Sequence, residues 1–225
     1  MLSWAVKKGF IKTNPCKNVK FLKEEIKNRE LLTQEDIKKL FGPDWETYWG
    51  KYLYCLINKL AACTGMRIGE LLGLKGGCVT DKDILVNRQY GKYGDTDTKT
   101  HTARCIPVSN KVITQLRELI TVNGDGYIFS NDGGSMPVSR KSVTDAFSKA
   151  LDKLGIDRPE QKKRGLSFHS WRHFFNTSLL LADIPEAEVR AMTGHKSQKM
   201  TNRYTHVRYS DLNEIITVQE RLFNA

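Results

Sequence analysis

Thr64-Gly65-Met66-Arg67-Ile68-Gly69-Glu70-Leu71-Leu72 is the stretch on which the fold turns. Upstream of it, Leu53, Leu56, Ile57, Leu60 and Ala61 recur at helical spacing and predict one helix over residues 45–63. Gly65 breaks that helix, and residues 68–74 restart as a short one with Leu71 and Leu72 buried. Arg67 therefore stands at the mouth of a helix, where a guanidinium and free backbone N–H groups together suit an anion. Glu70, three residues on, is spaced to pair with Arg67 and fix its orientation. Taken alone, Arg67 also reads as an ordinary surface arginine.

Working outward, a compact domain begins near Leu31. Thr33 and Asp36 have the spacing of a helix N-cap, Ile37, Leu40 and Phe41 supply an apolar face, and Gly42-Pro43 ends the helix. Residues 76–109 change character. Val79, Ile84, Leu85 and Val86 are strand material around a turn at Asp81-Lys82-Asp83. Residues 91–102 are polar and glycine-bearing, a hairpin or a loop, and residues 104–108 alternate as a returning strand. Helices are expected over 111–122, 139–154, 169–182, 185–192 and 211–223, with Pro185 in a first turn and Gly194 as a C-terminal stop. The fold class that follows is mainly α, of the α+β kind, with a small antiparallel sheet.

The chain of 225 residues carries 36 Lys and Arg against 25 Asp and Glu, a net charge of +11 with a pI near 9.4. Such a balance favours a polyanionic partner, nucleic acid first and an anionic membrane surface second. Within the first thirty residues, Lys7, Lys8, Lys12, Lys17, Lys20, Lys23, Lys27 and Arg29 stand against Glu24, Glu25 and Glu30, a net +5. Leu2, Trp4, Ala5 and Phe10 suit the end of a helix, which Asn14-Pro15 would stop, and residues 17–29 read as a basic linker. A hydrophobic fraction of 40% with 27% charged residues excludes overall disorder. No stretch approaches the roughly 18 apolar residues of a membrane span, and residues 1–10 lack the apolar region of a secretory signal. Cys16, Cys55, Cys63, Cys78 and Cys105 are odd in number and form no C-x-x-C pair, so neither a zinc site nor a disulfide framework is indicated. Reduced thiols in a cytoplasmic protein are the expectation.

Three further segments share one chemical task with Arg67. In His169-Ser170-Trp171-Arg172-His173, His169 and Arg172 are spaced to share a helix face, where they can hold one phosphate and exchange a proton with it. A buried histidine satisfied by backbone groups is the alternative for His169. Thr193-Gly194-His195 follows a short helix, and Tyr204 comes nine residues later in Met200-Thr201-Asn202-Arg203-Tyr204-Thr205-His206. Two arginines and two histidines around a tyrosyl hydroxyl describe an anionic transition state with a nucleophile beside it.

The ordered set Arg67, His169-x-x-Arg172, Gly194-His195 and Tyr204 resembles the catalytic signature of the tyrosine recombinases, also called the phage integrase family. The local contexts agree: T-G-M-R-I-G-E-L-L-G-L, H-S-W-R-H-F-F, M-T-G-H-K-S and Y-T-H-V. Each segment alone is weak, but in this order and spacing they are specific. The resemblance covers about residues 31–225, and residues 1–15 resemble the closing helix of the family's core-DNA-binding domain.

The resemblance implies a helical catalytic domain over 31–225 with a small three-stranded antiparallel sheet, preceded by the end of a core-binding domain (1–15) and a basic linker (16–30). It also implies a catalytic lysine between two strands. Lys99, in Thr98-Lys99-Thr100, eight residues before Pro107, is the best match, and Lys92 is its competitor. Tyr204 would then attack a DNA phosphodiester to form a 3′-phosphotyrosyl bond. Arg67 and Arg172 would neutralise the phosphate, Lys99 would protonate the leaving 5′-oxygen, His169 would accept the tyrosine proton, His195 would hydrogen-bond the phosphate, and Glu70 would support Arg67. No metal, ATP or other cofactor is expected, and the chain has no G-x-x-x-x-G-K-S/T loop. The implied partners are double-stranded DNA and further copies of the chain in a tetramer on DNA, with an accessory bending or excision factor left open and no membrane. The expected location is the cytoplasm of a bacterial or phage-infected cell. Helix 211–223 either packs on its own domain or docks on a neighbouring protomer. The rival activities are type IB topoisomerase-like relaxation and non-catalytic DNA binding.

Overall fold

The computed structural model describes residues 1–19, 30–97, 103–194 and 209–224. Helix α1 (Leu2–Lys7) buries none of its residues, and Trp4 and Phe10 are exposed. It stops earlier than Asn14-Pro15, because Gly9 turns the chain at φ 77°. Most of the linker expected over 16–30 lies outside the described residues. Helix α2 (Gln34–Phe41) starts with the predicted cap: Thr33 Oγ1 accepts from the Asp36 N–H at 3.2 Å, and Asp36 Oδ2 accepts from the Thr33 N–H at 2.8 Å.

The helix expected over 45–63 is two helices, α3 (Trp45–Trp49) and α4 (Tyr52–Thr64). Gly50, at φ 70°, separates them in a conformation that costs any side-chain-bearing residue. Every residue of α4 except Tyr52 and Tyr54 is buried, which makes it the axis of the domain. Its polar members are satisfied: Asn58 donates to Tyr54 O and accepts from Trp171 Nε1 at 2.8 Å, and Lys59 donates to Gln115 Oε1 at 3.1 Å. Burial pushes the Cys55 and Cys63 thiols up to about 12, so both act as packing groups.

Helix α5 (Ile68–Leu72) follows, then β1 (Asp83–Val86), β2 (Arg88–Gly91), β3 (Gly94–Asp97) and β4 (Arg104–Pro107). The sheet is small and antiparallel as expected, but it forms two pairs, not one three-stranded unit: β1 with β4 (Ile84 opposite Ile106) and β2 with β3 (Arg88 opposite Asp97). The reason lies in α5. The strand is interrupted at Asn87, and β2 packs against the end of that helix, where a Cβ on Gly73 would sit 3.0 Å from the backbone of Gln89 and Tyr90. The β2–β3 hairpin is tied down by Asp95, which meets Lys75 at 3.0 Å and Arg88 at 3.4 Å.

The remaining helices are α6 (Asn110–Asn123), α7 (Arg140–Lys153), α8 (Arg158–Lys163), α9 (Ser170–Leu181), α10 (Glu186–Thr193) and α11 (Tyr209–Asn224). Helix α8 was not expected, although its signal is present: Asp157 accepts from the Glu160 N–H at 3.0 Å, and a proline sits in the first turn. One core cluster joins α2 to α9 around Trp171, whose ring lies 5.4 Å from Phe147 and 5.5 Å from Phe41. A second, of Phe175, Leu179, Ile184, Val189, Met192, Ile215 and Val218, binds α9, α10 and α11. The last helix packs on its own domain. Buried Gln219 accepts from the Ser109 N–H at 3.1 Å and donates to Cys63 O at 2.8 Å and Pro107 O at 3.0 Å.

Candidate active site

The site is built on two helix ends. Helix α4 closes at Thr64, and Gly65 caps it in the left-handed region at φ 62°. Two residues later Arg67 opens α5 as its N-cap, and Glu70 Oε2 accepts from the Arg67 N–H at 2.8 Å. Gly65 has a second constraint. A Cβ there would lie 2.6 Å from Phe175 Cδ1 and 3.3 Å from Thr193 Cγ2. Gly65→Ala is therefore expected to lower stability by roughly 2–4 kcal/mol, from left-handed strain plus overpacking. Urea denaturation checks this.

The other end belongs to α10, which Gly194 closes in the left-handed region at φ 66°. Three successive carbonyls emerge there, and each is taken by a different arginine. Arg104 Nε donates to Met192 O at 2.5 Å, Arg172 Nη2 to Thr193 O, and Arg67 Nη2 to Gly194 O at 3.4 Å. The negative end of the helix dipole favours this gathering of cations. Glu70 completes it. Its carboxylate accepts from Arg67 Nη1 at 2.9 Å and, in a fork, from Arg104 Nη1 at 3.1 Å and Nη2 at 2.8 Å. Burial alone would raise the pKa of Glu70. The hydrogen bonds and charge of Arg104, joined by Arg67, outweigh it and hold the carboxyl below its usual range.

Arg172 is set by α9. Its neighbour Trp171 is locked in the core by the Asn58 hydrogen bond, so the helix presents Arg172 to the α4–α5 turn, where Nη1 donates to Gly65 O at 2.8 Å. Burial, then the charge of Arg67, pulls its pKa down to about 10, which leaves it fully charged at neutral pH. Arg172 is 2% exposed, yet its Nε–H finds no acceptor among the described residues. A buried donor left unmade costs about 1–3 kcal/mol, and an oxyanion is the partner that this group and the partly exposed Arg67 side chain suit.

The structure thus brings together Arg67, Glu70 and Arg172. His169 is the exposed N-cap residue of α9, on the turn that leads into Arg172, with its ring 4.9 Å from that of His173 and edge-on to it. Lys92 sits on the exposed β2–β3 turn with Nζ 5.4 Å from the Tyr93 ring. Lys99, His195 and Tyr204 lie outside the described residues. Arg104 is the member that sequence reasoning missed. The available signal was a lone cation at the head of an otherwise uncharged strand, Arg104-Cys105-Ile106-Pro107-Val108.

The phage integrase family profile matches residues 30–211. A probable integrase/recombinase protein of Methanocaldococcus jannaschii is 32% identical over 156 residues, covering 67% of this chain and 44% of that protein. A XerC-like tyrosine recombinase of Caldanaerobacter subterraneus is 27% identical over 243 residues, covering 91% of this chain and 59% of that one. The chain thus spans about half the length of these two relatives. Among solved structures, the Tn1549 transposon integrase in complex with transposon right-end DNA superimposes with a TM-score of 0.67 at 20% identity, over 98% of this chain and 75% of that one. A lambda integrase dimer bound to a core site gives 0.57 at 21% identity, over 92% and 71%. These two share its fold, and with the profile match and the arginine-lined site they lead to one conclusion: the chain belongs to the phage integrase family, the tyrosine recombinases.

Proposed function

We propose that this chain is the catalytic part of a site-specific DNA recombinase that integrates or excises a phage or other mobile element. The observation that carries the proposal is the meeting of Arg67 and Arg172 at the end of α10, with the buried Arg172 Nε–H finding no acceptor among the described residues. Relatives support it. Transposase B of the Staphylococcus aureus transposon Tn554 is 31% identical over 173 residues, and the integrases of similar fold were solved on DNA as dimers and tetramers. Residues 31–225 form the catalytic domain, 16–30 the linker along the DNA backbone, and 1–15 the end of a preceding DNA-binding domain. The working unit is a tetramer on duplex DNA in the cytoplasm, and an accessory bending or excision factor remains compatible with it.

In the proposed reaction the Tyr204 hydroxyl oxygen attacks the scissile phosphorus and its proton passes to His169. The P–O bond to the 5′-oxygen breaks, Lys99 protonates that oxygen, and a 3′-phosphotyrosine remains. Arg67 and Arg172 hold the non-bridging oxygens, with His195 adding a hydrogen bond, while negative charge builds in the transition state. The arginines supply the charge that a metal ion would otherwise provide. The ester energy is kept in the phosphotyrosine and rejoining needs no ATP.

Covalent capture tests this. Wild-type protein incubated with a library of nicked duplexes carrying a randomised segment should trap a subset as protein–DNA adducts, and Tyr204→Phe should trap none. An adduct that persists in Tyr204→Phe would remove Tyr204 as nucleophile. Strand exchange between two captured sites separates a recombinase from a type IB topoisomerase, which would relax supercoils without exchange. Binding with no adduct in any variant would leave only a DNA-binding factor.

A further inference from the structure

We propose that Arg104 is a positioning residue of the active site: by holding Glu70 and the Met192 carbonyl together, it sets the placement of Arg67 and Arg172 around the scissile phosphate. The inference rests on the recombinase reading above and adds a residue to it.

The geometry argues against Arg104 as a phosphate ligand. Its side chain is only 9% exposed, and all three of its nitrogens are committed, Nε to Met192 O and both terminal nitrogens to Glu70. Arg67 is different. Its side chain is 25% exposed, and one of its two terminal contacts, to Gly194 O, is long at 3.4 Å. Arg104 is therefore the rigid member of the group and Arg67 the one open to substrate. The link between them is Glu70, which is 1% exposed and grips both. The same fork reaches the substrate side by a second route. Arg104 fixes the Met192 carbonyl, and the next carbonyl, Thr193 O, is the one Arg172 binds. One side chain on β4 thus spaces the two phosphate-binding arginines from both sides, and the chain runs on from Gly194 to His195 and Tyr204.

The groups that face Glu70 are Arg67 before α5, Arg104 on β4 and, at longer range, Arg172 on α9. Of these, Arg104 does most to keep the carboxylate ionised. Without it, only Arg67 opposes the effect of burial, and Glu70 takes up a proton at a higher pH than in the wild type. A protonated Glu70 no longer holds Arg67 as a charged partner. Loss of Arg104 should therefore show as a change in chemistry that depends on pH, which a merely structural ion pair would not produce.

The test uses a duplex recovered by the capture experiment, with single-turnover adduct formation at saturating DNA. Arg104→Met should slow adduct formation about 10²-fold, the order expected when reacting groups are misplaced by about an ångström. DNA affinity should change by no more than about threefold, since the many backbone contacts remain. Its rate should also fall with acid more steeply than the wild-type rate, which carries only the limb that His169 gives as proton acceptor, and Glu70→Gln introduced beside Arg104→Met should remove that additional acid limb. Arg104→Lys keeps the charge and most of the volume but lacks the fork, so it should not restore the rate. It also serves as the folded variant if Arg104→Met does not fold. A wild-type rate in Arg104→Met, full rescue by Arg104→Lys, or a rate loss that is independent of pH would overturn the inference. Failure of the wild-type protein to capture any duplex would instead strike the recombinase reading itself.

Discussion

Arg172→Ala is expected to slow adduct formation by about 10²–10³-fold, the usual effect of removing one donor to a transition-state oxyanion, while DNA affinity falls less than tenfold. The asymmetry follows from the position of the side chain. Arg172 is buried behind the α4–α5 turn and, in the proposed reaction, would offer the incoming phosphate a single preset edge, the Nε–H that finds no acceptor among the described residues. Its other contacts, to Gly65 O and Thr193 O, hold that edge in place before substrate arrives. On the proposed reading, ground-state DNA would be held by many phosphate contacts over a strongly basic chain, so one fewer should matter little. Charge that builds only in the transition state meets few groups, so one fewer matters greatly. Single-turnover cleavage beside a binding isotherm at the same salt concentration reads both quantities. Equal losses in rate and affinity would show that Arg172 contributes uniform binding only. Arg172→Lys, which keeps the charge and loses the fork, should recover affinity before it recovers rate.

Glu70→Gln carries the largest expected cost in stability, about 3–5 kcal/mol, the range found when one partner of a buried ion pair is removed. The carboxylate accepts from Arg67 through both backbone and side chain and from both terminal nitrogens of Arg104. The amide keeps the shape but loses the charge, and it turns one acceptor into a donor that faces guanidinium donors. The pH dependence has a definite sign. The pKa of Glu70 in the folded protein lies below its unfolded value, about 4.3. The stabilisation is therefore complete above that unfolded value and is lost as pH falls through the folded one. Urea titrations should show the full difference between wild type and Glu70→Gln at pH 7. The difference should shrink as the solution is taken below the ordinary carboxylate range. A difference that stays constant across that range would mean that the cost lies in packing and not in ionisation.

Local signals served the helices well. The Thr33–Asp36 cap, the apolar spacing of α4, Gly65 as its stop and Gly194 as the stop of α10 all follow from a few adjacent residues, and all are seen in place. Where the expectation failed, the deciding contact was distant or a turn signal was passed over. Gly50 divided a helix that the apolar pattern alone would have continued. The β2 strand left its neighbour because Gly73, on another element, opens room for its backbone. The packing of α11 on its own chain, one of two readings that the sequence left open, rests on Gln219 meeting groups more than a hundred residues away.

The site divides in the same way. The sequence by itself determined the chemical cast: Arg67 at a helix mouth with Glu70 one turn on, and His169 with Arg172 at helical spacing, because these relations lie within single turns of chain. The tertiary structure decided what those residues do to one another. Arg104, Glu70 and the three carbonyls at the end of α10 come from β4, α5 and α10, and nothing in the local chain announces that they meet. The physical reason is that three guanidiniums repel unless a buried carboxylate and a helix terminus stand among them. Only the packed fold supplies both in one place.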